Sequence, residues 1–248
     1  MCYNHLINYR GKKMDREFIK NWAESLKEII NLHQQIKHID LSLEKLHAVA
    51  IVKHDTFYVF DYNRTKKVYE LVYEKHMPGL QIPDKVLASF PLDFYNMKPA
   101  AVISEDALTS LEKQIFVFHE FVHCWQYENG EATIKETLEI YKKYKKENNP
   151  MWEIKHPFPY DNADFAERIN SLAKAYNAPD EKNILSIYGE LKNILSDIDY
   201  EYMIWQEFKE GYARYVENNI RQFLKIQPND NYPKYPYIIT LFYLTRML

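Results

Sequence analysis

The chain has 248 residues with 32 basic and 35 acidic side chains, so its formal net charge is −3. A near-neutral, slightly acidic chain gives no electrostatic reason to bind nucleic acid, and we expect no nucleic-acid partner. Aromatic residues make up 15% of the chain while glycine occurs only 5 times, which favours a compact, mostly helical protein over a disordered one.

Targeting and membrane segments are not expected from this sequence. The N-terminus has no apolar core of a signal peptide and no small-residue cleavage site. The longest uncharged stretch near the C-terminus, residues 235–245, is too short to span a bilayer. We therefore expect no membrane span and a cytoplasmic location, and the sequence leaves the oligomeric state open.

The first part of the chain predicts a long helix followed by a small sheet. Residues 15–38 carry apolar side chains at helical spacing, which indicates an amphipathic helix with one buried stripe. Three runs rich in β-branched and aromatic residues follow, and the last two read as a hairpin. These runs are Ala48–Lys53, Thr56–Asp61 and Lys67–Glu74.

A fourth strand and a second helix are expected after a connecting segment at 77–99, which holds four prolines. The strand is placed at Ala100–Ser104 and the helix at 107–127, with Ser104 as its cap and Gly130 as its end.

The rest of the chain reads as helices. We expect them at about 131–146, 163–177, 181–195 and 198–220, with a Pro-rich and aromatic loop at 148–160 and an apolar segment after residue 236. A small sheet followed by helices indicates an α+β fold. We treat residues 1–248 as a single domain with an N-terminal helical segment (1–46), a sheet and helix region (47–130) and a helical subdomain (131–248).

The most informative motif lies in the second predicted helix, where His119, Glu120 and His123 form an HExxH pattern. Residues four apart share a helix face, so both imidazoles can bind one ion while Glu120 flanks the ion's open side. Zinc suits this geometry. The other residues from Ile115 to Trp125 are apolar, so three polar groups enter a core and need partners or a metal.

A catalytic site needs a third protein ligand, and its position must come from elsewhere in the chain. The extension HExxHxxGxxH is absent, because Gln126 stands where Gly is required and Asn129 where the third His would be. The best candidate is Glu210, since Gly211 and Ala213 beside it allow two helices to approach closely. The alternative without a functional role is a solvent-exposed helix face with an ion pair between Glu210 and Arg214.

Glu207 is the other candidate for this ligand position. If Glu210 is the ligand, Glu207 is expected to accept a hydrogen bond from a ligand imidazole and so to fix its tautomer.

With these residues the sequence resembles the gluzincin type of zincin metallopeptidases, through HEFVH at 119–123 and EGYARY at 210–215. The resemblance covers about residues 47–220. It implies one zinc ion held by His119, His123 and Glu210, with Glu120 as general base, and a zincin-like fold in which a sheet covers the HExxH helix and a helical subdomain supplies the third ligand. The thermolysin-like pattern has Asp four residues after the ligand Glu, whereas this chain has Arg214 there.

The expected function is a zinc-dependent hydrolase, most simply a metallopeptidase that cleaves peptides or proteins. Glu120 would take a proton from a zinc-activated water and pass it to the leaving amine. Tyr212, Tyr215 and His156 are open candidates for stabilising the oxyanion. The 148–160 loop is expected either to border the cleft or to be a surface loop packed by its own aromatic residues. Two other classes remain: a catalytically inactive zincin-like binding or regulatory module, and a metal-free helical interaction protein.

Overall fold

The computed structural model of the protein describes residues 16–78, 86–177 and 181–229. This described part of the chain starts with a long helix, continues through five strands and then becomes mostly helical. The strands are β1 (Ala48–Lys53), β2 (Thr56–Asn63), β3 (Val68–His76), β4 (Leu87–Leu92) and β5 (Lys98–Ile103). The helices are α1 (Glu17–Ile36), α2 (Leu111–Gln126), α3 (Ala132–Thr137), α4 (Glu139–Lys146), α5 (Trp152–Lys155), α6 (Ala163–Asn177), α7 (Glu181–Ile194), α8 (Asp197–Gln206) and α9 (Tyr212–Phe223).

The strands form one mixed sheet in the order β3-β2-β1-β5-β4. Only the central pair, β1 and β5, is parallel, and the other pairs are antiparallel. The expected α+β class with a mixed sheet and a helical C-terminal region is therefore confirmed.

The two faces of β1 explain how the helices sit on the sheet. Alternate side chains of a strand point to opposite faces, so Val49 and Ile51 share one face, while Ala48 and Ala50 share the other. Val49 and Ile51 belong to the main core, which α1, α2 and α9 complete. Fully buried aliphatic side chains such as those of α1 stabilise the fold by about 1.5–3 kcal/mol each relative to exposure. This core holds α2 against the sheet.

A second core lies in the helical region and is built by α4 to α8. The 148–160 loop belongs to it, because Trp152, His156 and Phe158 are all buried there. The loop therefore packs through its own aromatic residues, and the expectation that it borders a cleft is not supported for these three side chains.

The strand β4 lies in the segment that the sequence predicts as a connection. Its Pro91 pairs in register with Pro99 of β5, and β4 is an edge strand of the sheet. Proline is tolerated on edge strands because one side of the strand needs no ladder hydrogen bonds. The proline content of residues 77–99 therefore concealed this strand.

The start of α2 also differs from the expectation. Ser104 precedes a short 3₁₀ helix, Glu105–Leu108, and its hydroxyl donates to Asp106. The cap of α2 is Ser110, whose side chain accepts a hydrogen bond from the backbone N–H of Lys113. The helix consequently begins at Leu111, four residues later than the sequence predicts.

Two of the expected helices are interrupted. The expected 131–146 helix breaks at Leu138, where the backbone is extended, and the Glu201 carboxylate accepts the N–H of Ile140 in the first turn of α4. The expected 198–220 helix is interrupted by a π-helical turn, Glu207–Gly211. Helix α2 ends in a kink at Tyr127–Glu131, where the backbone of Asn129 and Gly130 is not helical and Gly130 has φ +114°, so Gly130 lies at the helix end as the sequence predicts.

Several expectations fall outside the part of the chain that the structure describes, namely the apolar segment after residue 236 and residues 1–15 of the N-terminal segment. Among residues 16–78, 86–177 and 181–229, no helix combines the length and apolar character needed to cross a bilayer.

Candidate metal centre

The two histidines of the HExxH motif meet on one face of α2. Both are buried, with 5% of His119 and 6% of His123 exposed. Their ring centroids are 4.9 Å apart, and the two Nε2 atoms are separated by 3.2 Å. The i, i+4 spacing therefore brings both imidazoles to one point, as the sequence predicts.

Glu210 joins them from the π-helical turn between α8 and α9. One of its carboxylate oxygens lies 3.5 Å from Nε2 of His119, and the other lies 3.4 Å from Nε2 of His123. Helix α9 packs directly against α2, through Ala213 and Val216 in the main core, and this contact carries Glu210 to the histidines. The three side chains form a group that can hold a metal ion.

The spacing of the three residues leaves room for a metal ion between them. Zinc binds histidine nitrogen and carboxylate oxygen at about 2.0–2.2 Å, so neighbouring ligand atoms of a tetrahedral site are about 3.3 Å apart. The two Nε2 atoms are 3.2 Å apart, each faces a different Glu210 oxygen at 3.4–3.5 Å, and one ligand atom from each of the three residues lies within 4.8 Å of the others. No large rearrangement of side chains is needed to bind an ion.

The tautomers of both imidazoles are set by partners at Nδ1. Nδ1 of His119 lies 3.1 Å from a carboxylate oxygen of Glu217, which can only accept, so Nδ1 carries the hydrogen. Nδ1 of His123 lies 2.8 Å from Oε1 of Gln126, and the amide group of Gln126 donates to the carbonyls of Phe208 and Lys209. That orientation makes Oε1 an acceptor, so His123 also carries its hydrogen on Nδ1.

Both Nε2 atoms therefore offer lone pairs to the same point, beside the Glu210 carboxylate. Burial alone would lower the pKa of His119, but hydrogen bonds to Glu210 and Glu217 raise it to about 9. Burial raises the pKa of Glu210, yet the two imidazoles outweigh burial and hold its pKa well below the usual range. The cluster thus favours a positive charge at its centre, which a proton or a metal cation can provide.

Glu217 is the main partner behind the ligands, and it was missed as such from the sequence. Its side chain is fully buried and accepts from His119, from Arg214 and Arg221, and from Asn229. Burial raises the pKa of Glu217, but the hydrogen bond from His119 and the charge of Arg214 lower it overall. The sequence places Glu217 seven residues after Glu210, between Arg214 and Arg221, and this pattern could have indicated its role.

Two expectations about neighbouring groups are wrong. The Glu207 carboxylate accepts a hydrogen bond from the hydroxyl of Tyr188 at 2.9 Å, whereas Glu217 and Gln126 occupy the Nδ1 positions of the histidines. Arg214 pairs with Glu217 and not with Glu210. The alternative that residues 207–217 form a solvent-exposed helix face is therefore wrong as well, because Glu207, Arg214 and Glu217 are all buried.

Glu120, the expected general base, lies next to His119 on α2 and is 6% exposed. Its negative charge contributes to the raised pKa of His119, which places the carboxylate close to the cluster. Within the described part of the chain, Glu120 forms no hydrogen bond or ion pair. The Glu120 oxygens are not among the fully buried polar atoms of the described residues that lack a partner, so the carboxylate keeps contact with solvent.

Two of the three candidates for oxyanion stabilisation are engaged elsewhere. The ring nitrogens of His156 contact Tyr144 at 2.9 Å and Asp199 at 2.8 Å within the second core. The Tyr212 hydroxyl donates to Asp40 at 2.6 Å, and burial together with this carboxylate raises the pKa of Tyr212. Tyr215 is 45% exposed and is the candidate that these contacts leave available.

Comparisons of the chain with protein-family models, with curated proteins and with solved structures found no match.

Proposed function

We propose that the protein is a zinc-dependent hydrolase, and specifically a metallopeptidase, with zinc held by His119, His123 and Glu210. The observation that carries the proposal is the convergence of His119, His123 and Glu210, whose ligand atoms lie within 4.8 Å of one another, with a hydrogen-bond partner at Nδ1 of each histidine. Two facing nitrogen atoms beside a carboxylate favour a cation at this point, and a metal ion would take the place of the proton that His119 otherwise holds.

The cluster is partly exposed to solvent through Glu210. The two histidines are buried, whereas the side chain of Glu210 is 33% exposed. Structural zinc sites are closed by four protein ligands, and catalytic sites keep one position for water or substrate. Among the described residues only three side chains meet here, which favours the catalytic type.

The chain supplies the proton transfer through Glu120. When bound, zinc would provide a Lewis acid and lower the pKa of water towards 7. Glu120 takes a proton from the attacking water and returns it to the leaving amine of the peptide. Its charge adjacent to His119 and its lack of a partner in the described residues suit a group that must exchange protons. The zincin-like fold assignment rests on the same motif and belongs to this proposal.

The first experiment measures bound metal and peptide cleavage on the same preparations. Wild type, E210A and E120Q are purified without chelators or a metal-affinity tag, and zinc is measured by elemental analysis. We expect about one zinc per wild-type chain, strongly reduced zinc in E210A, and normal zinc in E120Q. Cleavage of a mixed peptide library should fall by about 100- to 10,000-fold in E120Q.

The matched control is E112Q, which makes the same change at an exposed glutamate in the first turn of α2. This variant should retain both zinc and cleavage. Zinc binding without peptide cleavage by the wild type would contradict the peptidase proposal and favour a zincin-like binding module. Wild-type protein that stays metal-free after dialysis against zinc would contradict the metal site itself and favour a helical interaction protein.

A further inference from the structure

The two chain segments that bear the ligands are joined behind the metal centre by one buried side chain, Gln126. It is the last residue of α2 and is 1% exposed. Its Oε1 accepts from His123, and its Nε2 donates to the carbonyl of Phe208 at 2.5 Å and, more weakly, to that of Lys209 at 3.3 Å. One amide therefore contacts a ligand imidazole on one helix and the backbone beside Glu210 on the other.

The backbone that Gln126 contacts is the π-helical turn that carries Glu210. In an α-helix the N–H of Tyr212 would bond the carbonyl of Phe208, four residues earlier. Here that N–H donates to the carbonyls of Glu207 and Lys209 instead. The carbonyl of Phe208 receives a donor from Gln126, so this side chain compensates for a bond that the turn diverts. Single π-helical turns are uncommon and often occur at functional sites.

A second contact joins the same two segments. Nζ of Lys209 lies 2.7 Å from a carboxylate oxygen of Glu131, and both side chains are largely buried. Lys209 belongs to the turn that holds Glu210, and Glu131 belongs to the kink that follows α2. The turn of Glu210 is thus held against the end of the HExxH helix at two points.

We propose that Gln126 is a positioning residue that sets His123 and Glu210 as one unit, so that Nε2 of His123 and the Glu210 carboxylate keep their 3.4 Å separation. The inference rests on the proposed metal site and concerns which residue assembles it. A hydrogen-bond partner behind a ligand imidazole typically changes metal affinity by about 10- to 100-fold. Gln126 should have an effect at the upper end of this range, because its loss releases a ligand on each segment.

The test replaces Gln126 by methionine, which has a similar length and cannot accept from His123 or donate to the carbonyls. The matched control is Q114M on the same helix, because Gln114 is also buried and also donates to a backbone carbonyl, that of Leu108 at 3.2 Å. Each full-length protein is titrated with Co²⁺, which reports affinity and, through its visible d–d absorption, coordination geometry. Hydrogen exchange of residues 207–212 is followed without metal.

We expect Q126M to bind Co²⁺ about 100-fold more weakly than the wild type, with an altered absorption spectrum and faster exchange of residues 207–212. Q114M should match the wild type in all three measurements. The variant Q126E retains an acceptor for His123 and loses the donor to Phe208, so its affinity should lie between those of the wild type and Q126M. If Q126M does not fold, the Co²⁺ affinity and spectrum of Q126E are compared with those of the wild type instead.

The inference is overturned if Q126M, or Q126E in its place, binds Co²⁺ with wild-type affinity and spectrum. That result leaves the proposed metal site standing. A wild-type protein that binds neither Co²⁺ nor Zn²⁺ overturns both the metal site and the role of Gln126, so the two failures are distinguished by the wild type alone.

Discussion

Nδ1 of His119 lies 3.1 Å from a carboxylate oxygen of Glu217, although 98 residues separate them in the sequence. This contact fixes the histidine tautomer and brings the HExxH helix together with α9. It also connects the centre to Arg214 and Arg221, whose charges stabilise the fully buried Glu217 carboxylate.

The first prediction concerns this contact. E217Q replaces an acceptor-only group by one that must present an N–H to His119 or to an arginine. We expect zinc affinity, measured against a competing chelator, to fall by about 10- to 100-fold. The free energy of unfolding in urea should fall by about 2–4 kcal/mol, because buried charges lose their partner. E136Q, at an exposed glutamate paired with Lys145, should leave the free energy of unfolding nearly unchanged, because solvent screens this ion pair. Equal effects of the two changes would contradict this account of Glu217.

The second prediction concerns protons released on metal binding. The pKa of His119 is raised to about 9, so below that pH the metal-free protein holds a proton that zinc must displace. Zinc affinity should therefore rise with pH up to about 9, by roughly tenfold per unit for one displaced proton. Calorimetry in buffers of different ionisation enthalpy measures the number released. An affinity that is constant from pH 6.5 to 8.5 would show that the cluster is not protonated as described.

The third prediction concerns acid stability and His47. Burial, followed by the nearby charges of Lys45 and Lys98, lowers the pKa of His47 to about 3, and its Nε2 has no hydrogen-bond partner. In the unfolded chain His47 has a pKa near 6.5 and binds a proton below that pH, whereas in the folded chain it stays neutral until the pH approaches 3. The stabilising contribution of neutral His47 is thus present above pH 6.5 and is lost progressively as the pH falls towards 3, by up to about 1.4 kcal/mol per unit.

H47L should flatten this dependence when the free energy of unfolding of the metal-free protein is measured in urea between pH 7.5 and 4.5. H38Q, at an exposed histidine of the same region, serves as the control and should retain the wild-type slope. An H47L protein with the slope of the wild type would assign the acid sensitivity to other groups, such as His33, whose pKa burial also lowers.

The fourth prediction compares two glycines at which an added Cβ meets no atom within 4 Å. Gly130 has φ +114°, which L side chains rarely adopt, so G130A should destabilise the protein by about 1–2 kcal/mol. Gly189 lies inside α7, so G189A should stabilise it by about 0.5–1 kcal/mol. Thermal unfolding of the two variants should shift in opposite directions. A stabilised G130A would contradict the backbone conformation described for the turn after α2.

Local patterns predicted those parts of the fold in which local and tertiary preferences agree. Strand Ala48–Lys53 has the predicted bounds, because its run of small and β-branched residues suits a strand buried on both faces. The helix at 163–177 likewise matches. Strand β4 was hidden because Pro91 normally argues against a strand, and only the position of β4 at the sheet edge makes it acceptable.

Some residues of the candidate site could likewise be predicted from local sequence patterns, and others could not. His119 and His123 follow from helix periodicity alone, and Glu210 from the small residues beside it. The roles of Gln126 and Glu217 depend on side chains that meet only after α9 docks on α2. The π-helical turn of Glu210 is equally non-local, because its diverted carbonyl is satisfied by a residue more than eighty positions earlier. A local stretch of sequence therefore never contains both Gln126 and the carbonyl that it contacts.

The separation of the ligands along the chain has a consequence for folding. About ninety residues, including helices α3 to α8, lie between His123 and Glu210. A cation that joins the two ends would act as a reversible cross-link closing a long loop, which lowers the conformational entropy of the open chain and penalises unfolding. Availability of the ion would then set how often the helical region detaches from the sheet, and removing it would expose that region to proteases first.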